Sequence, residues 1–294
     1  SMGLAGLDAI LSTVQMPPGV PVGAVAIGEW KDPEDRVLDA SARGAADGRF
    51  VTLSQGVTHY DVAGPDSGRT VVLVHGFSVP YYIWDSTSVA LSAAGYRVIR
   101  YDVFGRGFSG RPDAAYDSTM FVAQLGELLD SLRVSGPVDL AGLSFGGFIA
   151  AHFVAAHPER VRTLTLVDPA SGSGALPLMF RIPLAGPRLF QALVVPGMAD
   201  GQLSDFLHPE RYPTWVDQYR PQMQYKGFGR SLLRSRNSSS TTDFAALFAR
   251  AGRTGAPVLL IWGMQDQTIA PLFSTTARKR PIRSTASSAP WSLR

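Results

Sequence analysis

The stretch LAGLSFGG, residues 140–147, contains the pattern Gly-x-Ser-x-Gly between Gly142 and Gly146. It joins an apolar run typical of a buried strand to a segment with the composition of a helix. A serine in so tight a turn must adopt a strained backbone, and the flanking glycines lack side chains that would clash there. The helix N-terminus adds free N–H groups beside it. The pattern predicts that Ser144 is a nucleophile at a sheet edge; the alternative is an ordinary glycine-rich turn.

Segments on both sides of this stretch alternate between strand-like and helix-like patterns. A hairpin is predicted around Gly56, in residues 49–64. Further strands are predicted in RTVVLVHG (69–76), YRVIRYD (96–102), PVDLAGLS (137–144), VRTLTLVDP (161–169) and PVLLIWG (257–263). Helices are predicted in residues 84–95, 117–134 and 145–161. Such alternation indicates an α/β fold with a mostly parallel sheet and helices on both faces.

The alternation of strand-like and helix-like patterns is interrupted in one long segment and at both ends of the chain. Residues 171–242 are rich in proline, arginine and aromatic residues, which favours a helical cap over the carboxyl edge of the sheet, where ligands bind in open α/β sheets. The predicted organisation is an N-terminal extension and linker (1–48), a first part of the core (49–170), the cap (171–242), a second part of the core (243–280) and an irregular tail (281–294).

Composition excludes several classes of protein. Hydrophobic residues make up 45% of the chain and charged residues 17%, as in a globular protein. The absence of cysteine excludes disulfides, zinc–thiolate sites and a thiol nucleophile. No apolar run approaches the ~20 residues of a membrane span, and no signal peptide opens the sequence, so a cytoplasmic location is expected. No metal or organic cofactor is implied.

The basic charge of the chain is concentrated at its end. Lys and Arg number 27 against 24 Asp and Glu, but five basic residues and no acidic residue follow Asp266. The rest of the chain is therefore slightly acidic. Because no basic face interleaved with aromatic residues is evident there, a nucleic-acid partner is not expected.

Several motifs together resemble the α/β-hydrolase superfamily over residues 49–280. HGFSVPYYIWD, YDVFGRGFSGRP, LAGLSFGG, LVDPA and IWGMQDQ follow one another in the order found in that superfamily, and they are most similar to its esterase, monoacylglycerol-lipase and C–C hydrolase branches. The resemblance implies that the backbone N–H groups of Phe77 and Phe145 form an oxyanion hole. His75 is then expected to brace the loop that contains Phe77. Asp102 and Arg106 are expected to brace the loop that follows the next strand.

The sequence offers two candidates for the acid of a catalytic triad but no histidine at the position expected for its base. Asp168 and Asp266 both follow strands, and the resemblance favours Asp266 as the catalytic acid, with Asp168 as a structural carboxylate. The histidine expected after Asp266 is absent, because the five histidines all precede it. Of these, only His208 in the predicted cap is a weak candidate for the base. The last strand, the histidine loop and the closing helix are therefore expected to be missing, which would leave an open sheet edge for self-association.

The combined interpretation is a serine hydrolase of carboxylic esters, with a small-molecule substrate that has a hydrophobic acyl group matching the apolar cap. Absence of the usual histidine is expected to impair it. The alternatives are a C–C bond hydrolase of the same fold and a non-catalytic, defective protein. Separately, residues 6–28 resemble a C-terminal fragment of the N5-carboxyaminoimidazole ribonucleotide mutase family, without any of its catalytic loops.

Overall fold

The computed structural model describes residues 32–172 and 176–266. Its sheet is built from β1 (Arg49–Leu53), β2 (Gly56–Ala63), β3 (Thr70–Val74), β4 (Arg97–Tyr101), β5 (Val138–Leu143), β6 (Val161–Val167) and β7 (Val258–Ile261). The strand order is β1-β2-β4-β3-β5-β6-β7. The first two strands form the predicted antiparallel hairpin, and β4, β3, β5, β6 and β7 run parallel. The predicted α/β fold with a mostly parallel sheet is confirmed.

Helices connect the strands and fill the long segment between β6 and β7. Those of the core are α1 (Ala40–Gly44), α2 (Asp85–Ala93), α3 (Ser118–Ser131) and α4 (Phe145–Ala156). Those that follow β6 are α5 (Leu178–Arg181), α6 (Ala185–Leu193), α7 (Met198–Gly201), α8 (Trp215–Met223), α9 (Phe228–Ser240) and α10 (Phe244–Gly252). Short 3₁₀ turns lie at Tyr81–Trp84, Pro158–Arg160, Val195–Gly197, Gln202–Asp205 and Pro209–Arg211.

The central strands are buried because helices cover both faces of the sheet. Val72 and Val74 of β3 and Ile99 of β4 are fully buried, as expected of continuous apolar runs in a parallel sheet. The central helix α4 is apolar on nearly all sides, and nine of its twelve residues are buried. A helix of this kind is stable only inside a core, so α4 and the strand before it are firmly held.

A second apolar cluster lies within helices α5 to α9, hereafter the helical segment. It is built from Phe180, Phe190, Val195, Ala199, Tyr219, Phe228, Leu232 and Leu233. Phe77, in the loop after β3, packs against both this cluster and the main core. The helical segment is therefore joined to the sheet edge at that loop.

The chain before β1 also contacts the helical segment. The buried carboxylate of Glu34 accepts hydrogen bonds of 2.6 Å from the backbone N–H groups of both Gly227 and Gly229. This is where α9 begins, and a carboxylate satisfies the unpaired N–H groups of a helix start. The end of the predicted linker thus belongs to the packed structure.

Some predictions concern residues outside the described ones. These are the mutase-like stretch 6–28 and the expected loss of a last strand and helix after Asp266, with the irregular tail. Within residues 32–172 and 176–266, no helix has the length and hydrophobicity required to cross a membrane.

Candidate active site

Ser144 occupies the strained turn that the sequence predicts. It caps the N-terminus of α4 with φ 51° and ψ −114°, a conformation that costs a residue with a side chain about 1–3 kcal/mol. Its N–H donates to Val167 O at 2.9 Å, and its carbonyl accepts from the N–H groups of Gly147 at 2.9 Å and Ala170 at 3.0 Å. These bonds to β6 and to the residues that follow it fix the turn. The half-buried side chain consequently stands at the carboxyl edge of the sheet.

The glycines of the pattern are required by close backbone contacts. A Cβ at Gly142 would lie 2.7 Å from Gly147 N, and a Cβ at Gly146 would lie 2.6 Å from His75 O. Both values are well below the 3.4 Å at which ordinary contacts begin. Helix α4 can therefore approach β3 and β5 this closely only because both positions are glycine.

The loop after β3 lies beside Ser144 and is braced by His75. A Cβ at Gly76 would be 3.7 Å from Ser144 Cβ. His75 Nδ1 donates to Gly76 O at 2.8 Å, while Nε2 accepts the N–H of Val103 at 2.9 Å, so this ring is neutral. Burial lowers the pKa of His75 to about 4, in agreement with these contacts.

The rings of Phe77 and Phe145 meet edge to face, with centroids 5.6 Å apart. Phe145 is the first residue of α4, so its N–H has no carbonyl four residues earlier within the helix. Within the described ranges, neither the Phe77 N–H nor the Phe145 N–H donates a hydrogen bond to another backbone group. Their assignment as the oxyanion hole remains a prediction.

Two buried residues after β4 hold the neighbouring loop, as expected. Asp102 accepts the N–H groups of Tyr81 at 2.8 Å and Phe108 at 2.9 Å. Arg106 donates its Nε–H to Phe77 O at 2.7 Å, and burial lowers the pKa of Arg106 to about 9. The guanidinium is therefore still charged at neutral pH.

The partner of Asp102 was not predicted from the sequence. His59 Nδ1 lies 2.7 Å from Asp102 Oδ2, and His59 Nε2 lies 2.6 Å from Asp47 O. Both ring nitrogens face acceptors, so both donate and the ring is an imidazolium. Burial alone would lower the pKa of His59, but the hydrogen bond to Asp102 and the charge of that carboxylate outweigh burial and raise it.

The two candidate acids lie together at the ends of neighbouring strands. Asp168 follows β6 with φ 41°, and its Oδ1 accepts the N–H of Gly263 at 2.6 Å. A Cβ at Gly263 would lie 3.7 Å from both Asp168 Oδ1 and Asp266 Cβ. Burial, and secondarily the charge of Asp266, raise the pKa of Asp168 against the hydrogen bond from Gly263. Ser144, Asp168 and Asp266 thus follow three adjacent parallel strands at one sheet edge, although the choice of Asp266 as the acid remains a prediction.

None of the histidines in the described residues forms a hydrogen bond with Ser144 Oγ. In residues 32–172 and 176–266, no side chain forms a hydrogen bond with that hydroxyl. His208 is half exposed, and its Nδ1 pairs with Glu210 Oε1 at 3.2 Å. His152 and His157, on and just after α4, contact Phe148 and Phe153. The same ranges contain no group of three His, Asp or Glu residues arranged to bind a metal ion.

Comparison with known proteins agrees with this architecture. The family model described as the alpha/beta hydrolase fold matches residues 69–277. The chain belongs to the α/β-hydrolase family. The match begins at β3 and extends through the turn at Ser144, the helical segment and β7, so it includes each of the elements that surround Ser144.

Relatives of this α/β-hydrolase carry names of different reactions. It is 29% identical to a 2-hydroxy-6-oxononadienedioate/2-hydroxy-6-oxononatrienedioate hydrolase of Cupriavidus pinatubonensis, over 76% of the chain and 81% of that protein. It is 33% identical to a non-heme chloroperoxidase of Streptomyces lividans over 40% of the chain, and it matches 43% of that relative's length. A crystal structure of a hydrolase from Pseudomonas aeruginosa aligns with a TM-score of 0.62 and 27% identity, covering 74% of this chain and 81% of the other. These comparisons do not support the mutase resemblance of residues 6–28.

Proposed function

We propose that this protein is a serine hydrolase that acts on carboxylic esters. The observation that carries the proposal is the backbone of Ser144, which is strained at φ 51° on a turn fixed by hydrogen bonds to β6 and its following residues. Strain of this size persists only where the surrounding structure enforces it, and it is found at functional sites. It presents the hydroxyl beside the Gly76–Phe77 loop and the start of α4.

The proposed chemistry assigns one role to each group. Ser144 Oγ attacks the acyl carbon, and the N–H groups of Phe77 and Phe145 donate to the carbonyl oxygen as it becomes negative. Donors of this kind contribute about 3 kcal/mol each in comparable sites. Asp266 orients the base, and Asp168 braces the neighbouring turn through Gly263. The base takes the proton of Ser144 Oγ and passes it to the alcohol oxygen as the bond between that oxygen and the acyl carbon breaks, and water then hydrolyses the acyl-enzyme.

The 294 residues contain no histidine at the position expected for the catalytic base. No histidine follows Asp266 in the 294 residues, and His208, the weak candidate, pairs with Glu210. Loss of the base lowers the rate of a triad by several orders of magnitude while leaving the oxyanion hole in place. We therefore propose that the 294-residue chain is a slow esterase whose rate responds to an added base.

The helical segment is proposed to act as the cap. Its buried cluster is bordered by partly buried apolar side chains, among them Phe77, Leu176 and Met179, so we propose an apolar acyl chain as the matching substrate group. C–C bond hydrolysis is the second candidate function. The relative from Cupriavidus pinatubonensis, which is named as a hydrolase of this type, aligns with the chain over 81% of its own length. A non-catalytic protein is the third, favoured because no side chain in the described part of the chain forms a hydrogen bond with Ser144 Oγ.

Self-association through β7 is also proposed. Val258, Leu259 and Ile261 are each 45–46% exposed, and among the described residues β7 pairs only with β6. An apolar edge strand readily pairs with another chain. Light scattering after gel filtration should show a dimer that Leu259→Lys returns to monomer; a wild-type monomer at all concentrations would contradict this.

The function is tested by hydrolysis of p-nitrophenyl acetate and butyrate with and without added imidazole. Wild type is compared with Ser144→Ala and with Ser135→Ala, a matched change at an exposed serine. We expect wild type and Ser135→Ala to hydrolyse the ester, faster with imidazole, and Ser144→Ala to match the uncatalysed rate. If wild type and Ser144→Ala are equally slow at every imidazole concentration, the ester hydrolase proposal is wrong. Turnover of a vinylogous 1,5-diketo acid in place of the ester would favour the second candidate.

If the ester is hydrolysed without imidazole, His208→Ala becomes the deciding variant for the base. A loss of rate in that variant would identify His208 as the group that deprotonates Ser144. An unchanged rate would exclude it.

A further inference from the structure

Arg106 is a buried cation at the junction of the core and the helical segment. Its side chain is fully buried. Besides the bond from Nε to Phe77 O, its Nη1 donates to Phe104 O and to Ser235 Oγ, each at 3.0 Å. Phe77 belongs to the loop beside Ser144, and Ser235 belongs to α9. One guanidinium therefore bonds both the loop and the helical segment.

The charge of Arg106 is not neutralised by a carboxylate. Among the described residues it forms no ion pair, and its Nη2 is buried without a hydrogen-bond partner. The guanidinium lies 5.3 Å from the ring centroid of Phe77, 5.8 Å from that of Phe121 and 5.5 Å from that of Phe145. Aromatic faces attract a cation but do not replace a counter-ion. The guanidinium therefore carries its charge without a carboxylate partner among the described residues.

Hydrogen bonds hold the carbonyl groups on both sides of the Phe77 N–H. The peptide that carries this N–H also carries Gly76 O, which accepts from His75 Nδ1. The next carbonyl, Phe77 O, accepts from Arg106 Nε. With both carbonyls held, the peptide plane cannot rotate, and the direction of the Phe77 N–H is set before any ligand binds. Preorganised donors of this kind stabilise an anion without a reorganisation cost.

We propose that Arg106 is a positioning residue of the oxyanion loop. It fixes the direction of the Phe77 N–H, couples that loop to α9 through Ser235, and with its unneutralised charge favours an anion at Ser144 over the neutral reactant. This inference rests on the ester hydrolase function proposed above, because it needs an anion to form at Ser144. It assigns Arg106 a role in the reaction beyond packing.

The test uses phenylboronic acid, whose binding requires no turnover. Ser144 Oγ forms a bond to boron, its proton passes to water, and boron becomes tetrahedral and negatively charged. This adduct resembles the intermediate of the proposed reaction, in which the acyl carbon is tetrahedral and its oxygen is negatively charged. Acetophenone, which stays neutral and planar, serves as the reference ligand. The ratio of the two affinities measures anion stabilisation separately from ligand packing.

Binding is measured for wild type, Arg106→Met, Arg106→Lys and Ser235→Ala, with Arg181→Met as a control at an exposed arginine. Arg106→Met should weaken the boronic acid by about tenfold to a hundredfold while acetophenone binding is unchanged. Arg106→Lys keeps the charge but loses the planar fork, and it should recover part of the affinity. Ser235→Ala should give a smaller loss, and Arg181→Met none.

The outcomes separate this inference from the proposed function. If Ser144→Ala binds the boronic acid as tightly as wild type, no anion forms at Ser144 and the proposed function itself fails. If binding depends on Ser144 but Arg106→Met leaves the affinity ratio unchanged, the role of Arg106 is overturned. If Arg106→Met does not fold, Arg106→Lys and Ser235→Ala decide, and wild-type ratios in both would overturn the inference.

Discussion

Gly146→Ala should be strongly destabilising although it adds only one methyl group. The new Cβ would lie 2.6 Å from His75 O and even closer to Val74 O, whereas ordinary contacts begin at 3.4 Å. Both atoms belong to the backbone at the end of β3, so no side chain can rotate away. Strand and helix would have to separate by about 1 Å, in a region where packing is dense.

The expected magnitude follows from the cost of overpacking a core. Such changes cost typically about 1–3 kcal/mol, and the double backbone contact places Gly146→Ala at the upper end, about 3 kcal/mol. For a chain of this size that corresponds to a fall in Tm of about 6–12 °C. Because the displaced helix begins at Phe145, directly after Ser144, the proposed ester hydrolysis should fall as well.

The matched control is Gly126→Ala, the same change in the middle of α3. There a Cβ would meet only Phe153 Cε2 at 3.8 Å, an ordinary contact. Alanine in a helix interior is favoured over glycine by about 0.5–1 kcal/mol, so this variant should be slightly more stable than wild type. Thermal and urea unfolding followed by circular dichroism give both values. A Gly146→Ala variant as stable as wild type would refute the close contact between α4 and β3.

Three further predictions concern other contacts. The stability contributed by His59 is fully present below its unfolded pKa of about 6.5 and is lost as pH rises through its raised folded pKa. The free energy of urea unfolding should therefore fall as pH rises above the unfolded value, and His59→Asn should flatten that fall; parallel curves would contradict the imidazolium. Glu34→Gln should lower the free energy of unfolding by about 2 kcal/mol, since one charged acceptor serves two helix N–H groups, whereas Asp35→Asn, at an exposed carboxylate, should change it little. Leu128→Ala, at a fully buried position of α3, should cost about 3 kcal/mol in the same unfolding experiment, and a loss below 1 kcal/mol would show that the site collapses around the cavity.

The sequence by itself determined the secondary-structure elements and the position of the strained turn. Apolar runs and helical spacing are local properties, and they predicted the hairpin, the parallel strands and the connecting helices. The strained turn at Ser144 was also predictable, because the glycines that such a turn requires, Gly142 and Gly146, lie within two residues of it in the sequence. The loop role of His75 followed from its place directly after β3 in a familiar order of motifs.

Only the tertiary structure decided which distant residues meet. The pairing of His59 with Asp102 joins residues 43 positions apart, and the contact of Glu34 with Gly227 joins residues 193 positions apart. Asp168 lies beside Asp266 because β6 and β7 are neighbours in the sheet, which no periodicity specifies. The sequence predicts only that Arg106 braces the loop after β4; its full burial and its bond to Ser235 of α9 come from the packing of the helical segment over that loop. Such contacts depend on packing between elements, whereas the sequence pattern reports only on the elements themselves.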